Sequence, residues 1–249
     1  VTAKFEMLGA RATIRPMVRN RWRPAPGRVV IDIGHDRHGE YFDIQAEDAT
    51  EVEVLDVQPK DRHLLQMVRQ PNERPGLPDS KDKFLCGHDE RHWFVAGVPE
   101  NASVSSVVTA KEALKPDLVR SREQGKRGKR KKRLRRKTDV FVRQGEWFFI
   151  PAPGLQVNEK MIFTAEPISR GRGKPHMCEK LYREGGTAAY VCSRHPNGLT
   201  TDEYRKLLKK TPEAAKWGWR TMARNPVAYV RGKVWHPDHA TIRLDGWHR

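Results

Sequence analysis

Residues 84–98 read FLCGHDERHWFVAGV: an apolar segment, a polar turn with glycine, an aromatic pair and a second apolar segment. The same order recurs in IDIGHDRHGEYFDI (31–44) and in FVRQGEWFFIPAP (141–153). Glycine supplies the backbone freedom that tight turns need, and short apolar segments around such a turn are typical of strands. The three stretches therefore predict three β-hairpins, and the hairpin is the repeated unit of the expected fold.

The turn histidines are not part of what the hairpin shape requires. The third copy keeps GEWFFI where the first has GEYFDI, yet it contains no histidine. The sequence therefore favours His35, His38, His88 and His92 as turn residues exposed to solvent or to a ligand. A metal site remains the alternative, because the four rings could converge if the two hairpins lay side by side.

Basic residues dominate the composition. The 249 residues include 48 lysines and arginines against 31 acidic residues, which gives a formal charge of +17. So large a positive charge indicates a polyanionic partner, either nucleic acid or an acidic membrane surface. No apolar run of about 18 residues occurs, so we predict no membrane-spanning helix and expect no membrane partner.

The expected compartment follows from what the sequence lacks. The first sixteen residues contain no apolar core of the kind found in signal peptides. The cysteines Cys86, Cys178 and Cys192 are too few, and odd in number, for the disulfide framework of a secreted domain. A reducing cytoplasmic setting is therefore the expectation.

The expected fold class is α+β, an antiparallel hairpin-rich scaffold with a helical pair in the C-terminal part. Residues 106–124 are typical of a helix that bends or breaks at Pro116. Residues 199–210 and 211–226 predict the helical pair, and Thr200 is placed to cap the first of these helices.

A strongly basic segment is expected to divide the chain. Ten of the twelve residues in 126–137 are lysine or arginine, and this run separates segments of different character. We therefore predict a β-rich N-terminal part (1–105), a helical and strongly basic linker or arm (106–138) and an α+β C-terminal part (139–249).

The basic run is the strongest functional signal in the sequence. Each lysine or arginine that neutralises a phosphate releases a condensed counterion, so such segments bind nucleic acid in a salt-dependent way. The alternatives are a solvated tail, a localisation signal or a crowded linker. The candidate nucleic-acid-binding residues of the run are Lys126, Arg127, Lys129, Arg130, Lys131, Lys132, Arg133, Arg135, Arg136 and Lys137.

The second predicted helix carries a supporting pattern. Lys216, Arg220 and Arg224 repeat every four residues and would form one stripe on a helix. Trp217 and Trp219 flank the start of this stripe, and basic side chains beside aromatic rings suit a phosphate backbone with unstacked bases. An ordinary amphipathic helix with core tryptophans is the alternative.

The turn RGRGKP (170–175) invites comparison with phosphate-binding loops. It lacks the order of the P-loop, in which serine or threonine follows the lysine, because here proline follows it. As a flexible basic turn it could still approach a nucleic-acid backbone closely. Its candidate contacts are Arg170, Arg172 and Lys174.

The segments HMC and CSRH, separated by thirteen residues, offer ligands of the kind that zinc prefers. They could hold a tetrahedral ion through His176, Cys178, Cys192 and His195. The spacing matches no standard zinc motif, and core cysteines with surface histidines are the alternative. Zinc is therefore a candidate cofactor.

The last stretch, WHPDHATIRLDGWH (235–248), brings His236, Asp238 and His239 together in sequence. Such groups could bind a metal or perform acid–base chemistry on a phosphodiester. His-Pro-Asp-His between two strands is also typical of a turn. No G-x-S-x-G, H-E-x-x-H or Walker motif occurs.

The favoured hypothesis is a non-enzymatic nucleic-acid-binding protein of a ribonucleoprotein complex, with RNA ahead of DNA. Long basic arms suit irregular folded RNA, and no clear major-groove recognition unit occurs. A metal-dependent nuclease or related hydrolase is the alternative, and an interaction protein whose basic run only targets it is a third class. The nuclease would be favoured by convergence in one cleft of His35, His38, His88, His92, His236 and His239.

Overall fold

The computed structural model describes residues 1–17, 29–72, 76, 78–125, 130–169 and 174–249. The described chain forms two compact units, Val1–Phe148 and Phe149–Arg249. Strands account for 51% of the structure and helices for 19%, so the fold is sheet-rich.

The first unit contains two sheets and a small hairpin. Its strands are β1 (Ala12–Pro16), β2 (Val29–Asp36), β3 (Gly39–Ala46), β4 (Glu51–Gln58), β5 (His63–Gln70), β6 (Ser80–Asp89), β7 (His92–Val98), β8 (Val142–Gln144) and β9 (Trp147–Phe149). One sheet has the order β1-β3-β2, with β1 parallel to β3. The other is an antiparallel meander, β4-β5-β6-β7, and β8 pairs with β9.

The three hairpins predicted from the sequence are confirmed. Strands β2 and β3 turn at residues 37–38, β6 and β7 at 90–91, and β8 and β9 at 145–146. Gly39 follows the first turn with φ of 99° and Gly145 lies in the third with φ of 57°, a backbone region that favours glycine.

Short helices accompany these sheets. The first unit contains α1 (Thr2–Glu6), α2 (Val107–Ala113), α3 (Asp117–Glu123), α4 (Arg130–Arg133) and a 3₁₀ turn over Pro59–Asp61. The predicted break at Pro116 is confirmed, because α2 ends before this proline and α3 begins directly after it. Helix α2 opens with a capping box, in which the Ser106 side chain accepts from the backbone N–H of Thr109.

Strand β5 is buried on both faces, and its apolar residues accordingly occur on both. Leu64 packs with Phe42 of the three-stranded sheet. Its neighbour Leu65 faces the other way and packs with Val107 and Ala110 of α2. Because successive side chains of a strand point to opposite faces, the meander joins two hydrophobic clusters, one against the first sheet and one against the helix.

Gly87 in β6 is expected to tolerate no side chain. A Cβ atom at this position would lie within 2.9 Å of three ring atoms of His63 on the neighbouring strand. We expect Gly87→Ala to lower the free energy of unfolding by about 1–3 kcal/mol, the usual cost of overpacking, measured by urea denaturation. Gly97→Ala in the same sheet is the matched control, since a Cβ there meets nothing within 4 Å. Equal losses in the two variants would contradict this steric account.

The second unit contains two antiparallel sheets. Its strands are β10 (Phe163–Ile168), β11 (His176–Glu184), β12 (Thr187–Cys192), β13 (His195–Thr200), β14 (Arg220–Arg224), β15 (Val227–His236) and β16 (His239–His248). One sheet has the order β10-β11-β15-β16 and the other the order β13-β12-β14. Helix α5 (Thr201–Lys210) packs on β12 and β13, and 3₁₀ turns cover Glu159–Met161 and Pro212–Lys216.

The prediction of a helical pair in the C-terminal part is wrong, and with it the α+β class. Its first member is correct: α5 begins after Thr200, whose hydroxyl accepts from the backbone N–H of Glu203 in the predicted capping box. The second member is absent, because residues 211–226 form a 3₁₀ turn and then β14. Gly218 adopts φ of 67°, which ends the helical backbone, and β14 pairs with β12. In the described part of the chain, no helix has the length and apolar character that a bilayer span needs.

Candidate functional site

A large cavity in the first unit concentrates positive charge. Its volume is about 1010 Å³, and its wall is built from the 3₁₀ turn, the β6–β7 hairpin, α2, the second half of the basic run and β8. Among the described residues, the acids that line it are two aspartates, Asp61 and Asp89. We call this space the basic cavity; its seven cationic residues are Lys60, Lys111, Lys115, Arg133, Arg135, Arg136 and Arg143.

Lys115 anchors one side of the basic cavity. Its ammonium donates to both carboxylate oxygens of Glu123, at 2.8 and 3.0 Å, and to the carbonyl oxygen of Arg133 at 3.1 Å. The carboxylate of Glu112 lies 3.0 Å away. Because Lys115 and Glu123 are both buried, this ion pair fixes the backbone of Arg133 relative to α3.

Arg136 anchors the other side. Its guanidinium pairs with Asp89 and Glu90 at the β6–β7 turn, and its carbonyl oxygen accepts from the backbone N–H of Arg143 at 2.6 Å. Lys137 forms a β-bridge with Val142. The second half of the basic run is therefore held on the first unit.

Three cations of the cavity lack a neighbouring acid among the residues that the structure describes. Within the described residues, Lys60, Arg133 and Arg135 have no ion pair. The Nε of Arg133 is buried and has no hydrogen-bond partner among those residues. A buried donor without a partner is costly, so this nitrogen favours a ligand that supplies an acceptor.

The electrostatics of the cavity disfavour additional positive charge. Burial, followed by the nearby charge of Lys111, lowers the pKa of His63 to about 4. Burial also lowers the pKa of Lys111 and that of Arg143, and in both residues a neighbouring arginine lowers it further. These shifts show cations held close together in a poorly solvated wall, and an anion in the cavity would relieve their repulsion.

Aromatic side chains form a second feature, in the second unit. The rings of His195, Trp217 and Trp219 are nearly parallel, inclined by 15–21°, with centroids 5.7–6.3 Å apart. Tyr204 of α5 packs edge-on against Trp219 at 4.9 Å, and the Arg194 guanidinium lies 4.4 Å from the centre of the Trp217 ring. We call these five residues the aromatic cluster; its three parallel rings are partly exposed.

The predicted nucleic-acid-binding residues have separate locations. Arg133, Arg135 and Arg136 line the basic cavity, while Lys132 and Lys137 are exposed beside it. Arg130 and Lys131 belong to α4. The residues that lie outside the described part of the chain are Lys126, Arg127, Lys129, Arg170 and Arg172.

The predicted stripe of Lys216, Arg220 and Arg224 is not a helical stripe. Lys216 ends the 3₁₀ turn, whereas Arg220 and Arg224 lie in β14. All three side chains are exposed. They remain available to an anion, although the helix that was expected to align them is absent. Lys174 is also exposed, and it pairs with Asp238 at 2.9 Å.

The two histidine-bearing hairpins do lie side by side. Nδ1 of His92 is 2.5 Å from a carboxylate oxygen of Glu40 on β3, whose other oxygen accepts from the backbone N–H of Trp93 at 2.9 Å. Burial opposes ionisation of Glu40, yet these two hydrogen bonds hold its pKa below the ordinary value. His88 packs edge-on against Trp93. The contact is thus a carboxylate bridge between hairpins.

The structure brings together residues from the two predicted sets of metal ligands and separates members of the first set. His176 and Cys178 share the buried face of β11, whereas Cys192 and His195 lie at the β12–β13 turn of the other sheet. Among the described residues, one set of three or more potential ligands has its atoms within 4.8 Å of one another. We call it the histidine cluster; its members are His176, His236 and His239.

Sequence reasoning missed much of the basic cavity. Lys60, Lys111, Lys115 and Arg143 lie far from the basic run in sequence or are single charges in otherwise ordinary segments. The helix predicted over residues 106–124 could have indicated that Lys111 and Lys115, four residues apart, lie close together. Nothing local indicates that His63 faces the same space.

Comparison of the chain with protein-family models, with curated proteins and with solved structures finds no match.

Proposed function

We propose that this chain binds nucleic acid, with RNA favoured over DNA, as a component of a ribonucleoprotein complex. The basic cavity is the observation that carries the proposal. Among the described residues, seven cationic side chains and two aspartates line a space of about 1010 Å³ in the same unit that contains residues 130–137 of the basic run. The formal charge of +17 for the whole chain agrees with a polyanionic partner.

Phosphate is the anion that suits this wall best. Guanidinium groups match phosphate oxygens in planar, paired hydrogen bonds, and Arg133 has a buried Nε–H available for such a bond. The volume is at the upper end of the roughly 300–1,000 Å³ found for ligand pockets, so it exceeds what one phosphate needs. A short stretch of sugar–phosphate backbone fits both the size and the charge.

Two features of the second unit favour RNA over duplex DNA as the ligand. The aromatic cluster offers partly exposed, parallel rings on which unstacked bases can stack, and Arg194 adds a cation beside them. The longest helix of the described residues is α5, and its first turn carries Asp202 and Glu203. A helix that begins with two acids is poorly suited to enter the major groove beside phosphates.

His63 provides a direct test of the proposal. In the free protein its pKa is about 4, because burial and the charge of Lys111 disfavour the imidazolium. Phosphates in the cavity would add negative charge next to the ring, so we expect the pKa to rise by about one pH unit or more. The measurement is an NMR titration of the ring with and without a single-stranded RNA oligonucleotide at low salt.

Uridine, which has one base and one sugar but no phosphate, is the matched control and should leave the His63 titration unchanged. A duplex DNA of the same sequence should bind more weakly than the RNA. RNA binding that leaves His63 unaffected would place the RNA outside the basic cavity. No binding of RNA at low salt would overturn the proposed function.

A further inference from the structure

Three histidines that are distant in sequence meet in the second unit. His236 and His239 end and begin the paired strands β15 and β16 and face each other across the turn. His176 begins β11, which pairs with β15 so that Met177 lies opposite Trp235. The histidine cluster is thus held by three hydrogen-bonded strands rather than by a flexible loop.

The rings of the histidine cluster are in direct contact. The centroid of His176 lies 4.2 Å from that of His236 and 5.6 Å from that of His239, and the last two are 4.9 Å apart. His176 is only 2% exposed, and the side chain of His236 is 7% exposed. Three imidazoles gathered in a mostly buried place are unusual for an apolar core, since polar rings there require polar partners.

We propose that His176, His236 and His239 bind one divalent transition-metal ion, Zn²⁺. Neutral imidazole nitrogen is a preferred ligand of zinc, and three protein ligands with one position left for water are the ligand count of catalytic zinc sites. The proposal differs from the set predicted from the sequence, because it contains no cysteine. It does not depend on the proposed binding of RNA.

The distances are compatible with zinc after small side-chain rotations. The potential ligand atoms lie within 4.8 Å of one another. Zinc–nitrogen bonds of about 2.0–2.1 Å in tetrahedral geometry bring the nitrogens to about 3.3 Å. Zinc has no geometric preference of its own from d electrons, so it adapts to the strand positions more readily than a metal with a rigid geometry.

Neighbouring groups orient the His236 ring. The backbone N–H of Asp238 donates to its Nδ1 at 3.1 Å, and its Nε2 lies 3.2 Å from the carbonyl oxygen of Lys174. A metal ligand needs a nitrogen without a proton, so the ion competes with one of these two hydrogen bonds.

The first experiment uses the full chain, stripped of metal with a chelator and then dialysed. Calorimetric titration with Zn²⁺ at pH 7.5 should give one equivalent with micromolar or tighter affinity. X-ray absorption of the loaded protein should show nitrogen ligands at about 2.0–2.1 Å and no sulfur at about 2.3 Å. Absence of stoichiometric binding, or a sulfur ligand, would overturn the proposal.

The second experiment locates the ion. His236→Gln and His239→Gln should each weaken Zn²⁺ binding at least tenfold, whereas His248→Gln, at a partly buried histidine of β16 outside the histidine cluster, should bind as the natural chain does. Equal binding by all three variants would contradict the proposal. If a cluster variant fails to fold, the absorption spectrum of the natural chain decides between nitrogen and sulfur ligands.

Discussion

Lys115→Met is expected to lower the free energy of unfolding by roughly 3–5 kcal/mol, the cost of removing one partner from a buried ion pair. The side chains of Lys115 and Glu123 are 3% and 5% exposed. Without the ammonium, the Glu123 carboxylate stays buried but loses the cation that it pairs with. The carbonyl oxygen of Arg133 also loses the hydrogen bond that Lys115 donates to it. Urea denaturation followed by circular dichroism measures the loss.

A double-mutant cycle shows whether the ion pair causes this loss. Lys115→Met combined with Glu123→Leu removes both charges, so the double variant should be more stable than Lys115→Met alone. Lys4→Met, on an exposed lysine of the same unit, should change stability by roughly 0.5 kcal/mol or less. Strictly additive effects at Lys115 and Glu123 would show that the two charges are not coupled.

The hairpins were predictable because their signals are local. A polar stretch that contains a glycine, with apolar strands on both sides, specifies a hairpin within fifteen residues, although the glycine lies in the turn itself only in the third hairpin and Gly87 lies within β6. The stretches 31–44, 84–98 and 141–153 all follow this rule, and all three form the expected structure. The same local logic gave the break at Pro116 and the cap at Thr200.

The prediction of the second helix of the pair was wrong because of strand pairing within the folded unit. Thr211 and Pro212 are plausible at a helix start, and a 3₁₀ turn does begin there. The chain then passes Gly218 and continues as β14, which completes a sheet with β12. Pairing with a strand some thirty residues earlier overrides a weak helical preference, and no window around residues 211–226 contains that information.

The candidate sites were only partly predictable, because folding combined residues from different motifs. His176 was assigned to one predicted metal set, and His236 and His239 to another. Strand β15 lies between β11 and β16, so the sheet order brings these three together. The order of strands in a sheet cannot be read from spacing in the sequence, whereas the chemical character of each histidine could be.

For the basic run, the charge could be predicted from the sequence, but its position in the fold could not. Its charge predicts an anionic partner without reference to any fold. What the sequence did not indicate is that Glu123, Asp89 and Glu90 would hold its second half in place, because these acids lie in other segments. Because of these contacts, the second half of the run, which was predicted to belong to a linker or arm, forms one wall of a cavity, and fixed cations lose less conformational entropy when they bind.

Replacing Lys60, Arg133 and Arg135 by glutamine is expected to weaken single-stranded RNA binding roughly 50-fold at 0.15 M salt. Each of these cations lacks an acidic partner among the described residues, so each can neutralise a phosphate. For single strands, every phosphate contact contributes about 0.7 to the slope of log affinity against log salt concentration. Loss of three contacts should therefore flatten the slope by about 2, as measured by fluorescence anisotropy over a range of salt concentrations.

A matched variant separates the cavity from the overall charge of the chain. Glutamine at Lys4, Lys81 and Arg120 also removes three positive charges, but from exposed positions of the first unit that do not line the cavity. Both triple variants should unfold at similar urea concentrations, since none of the cavity cations replaced takes part in a buried ion pair. The control should retain most of the affinity and nearly the full salt slope, because exposed charges distant from the bound phosphates are screened at 0.15 M salt. Equal loss of affinity in the two variants would mean that RNA responds to net charge alone, and the cavity would then have no special part in binding.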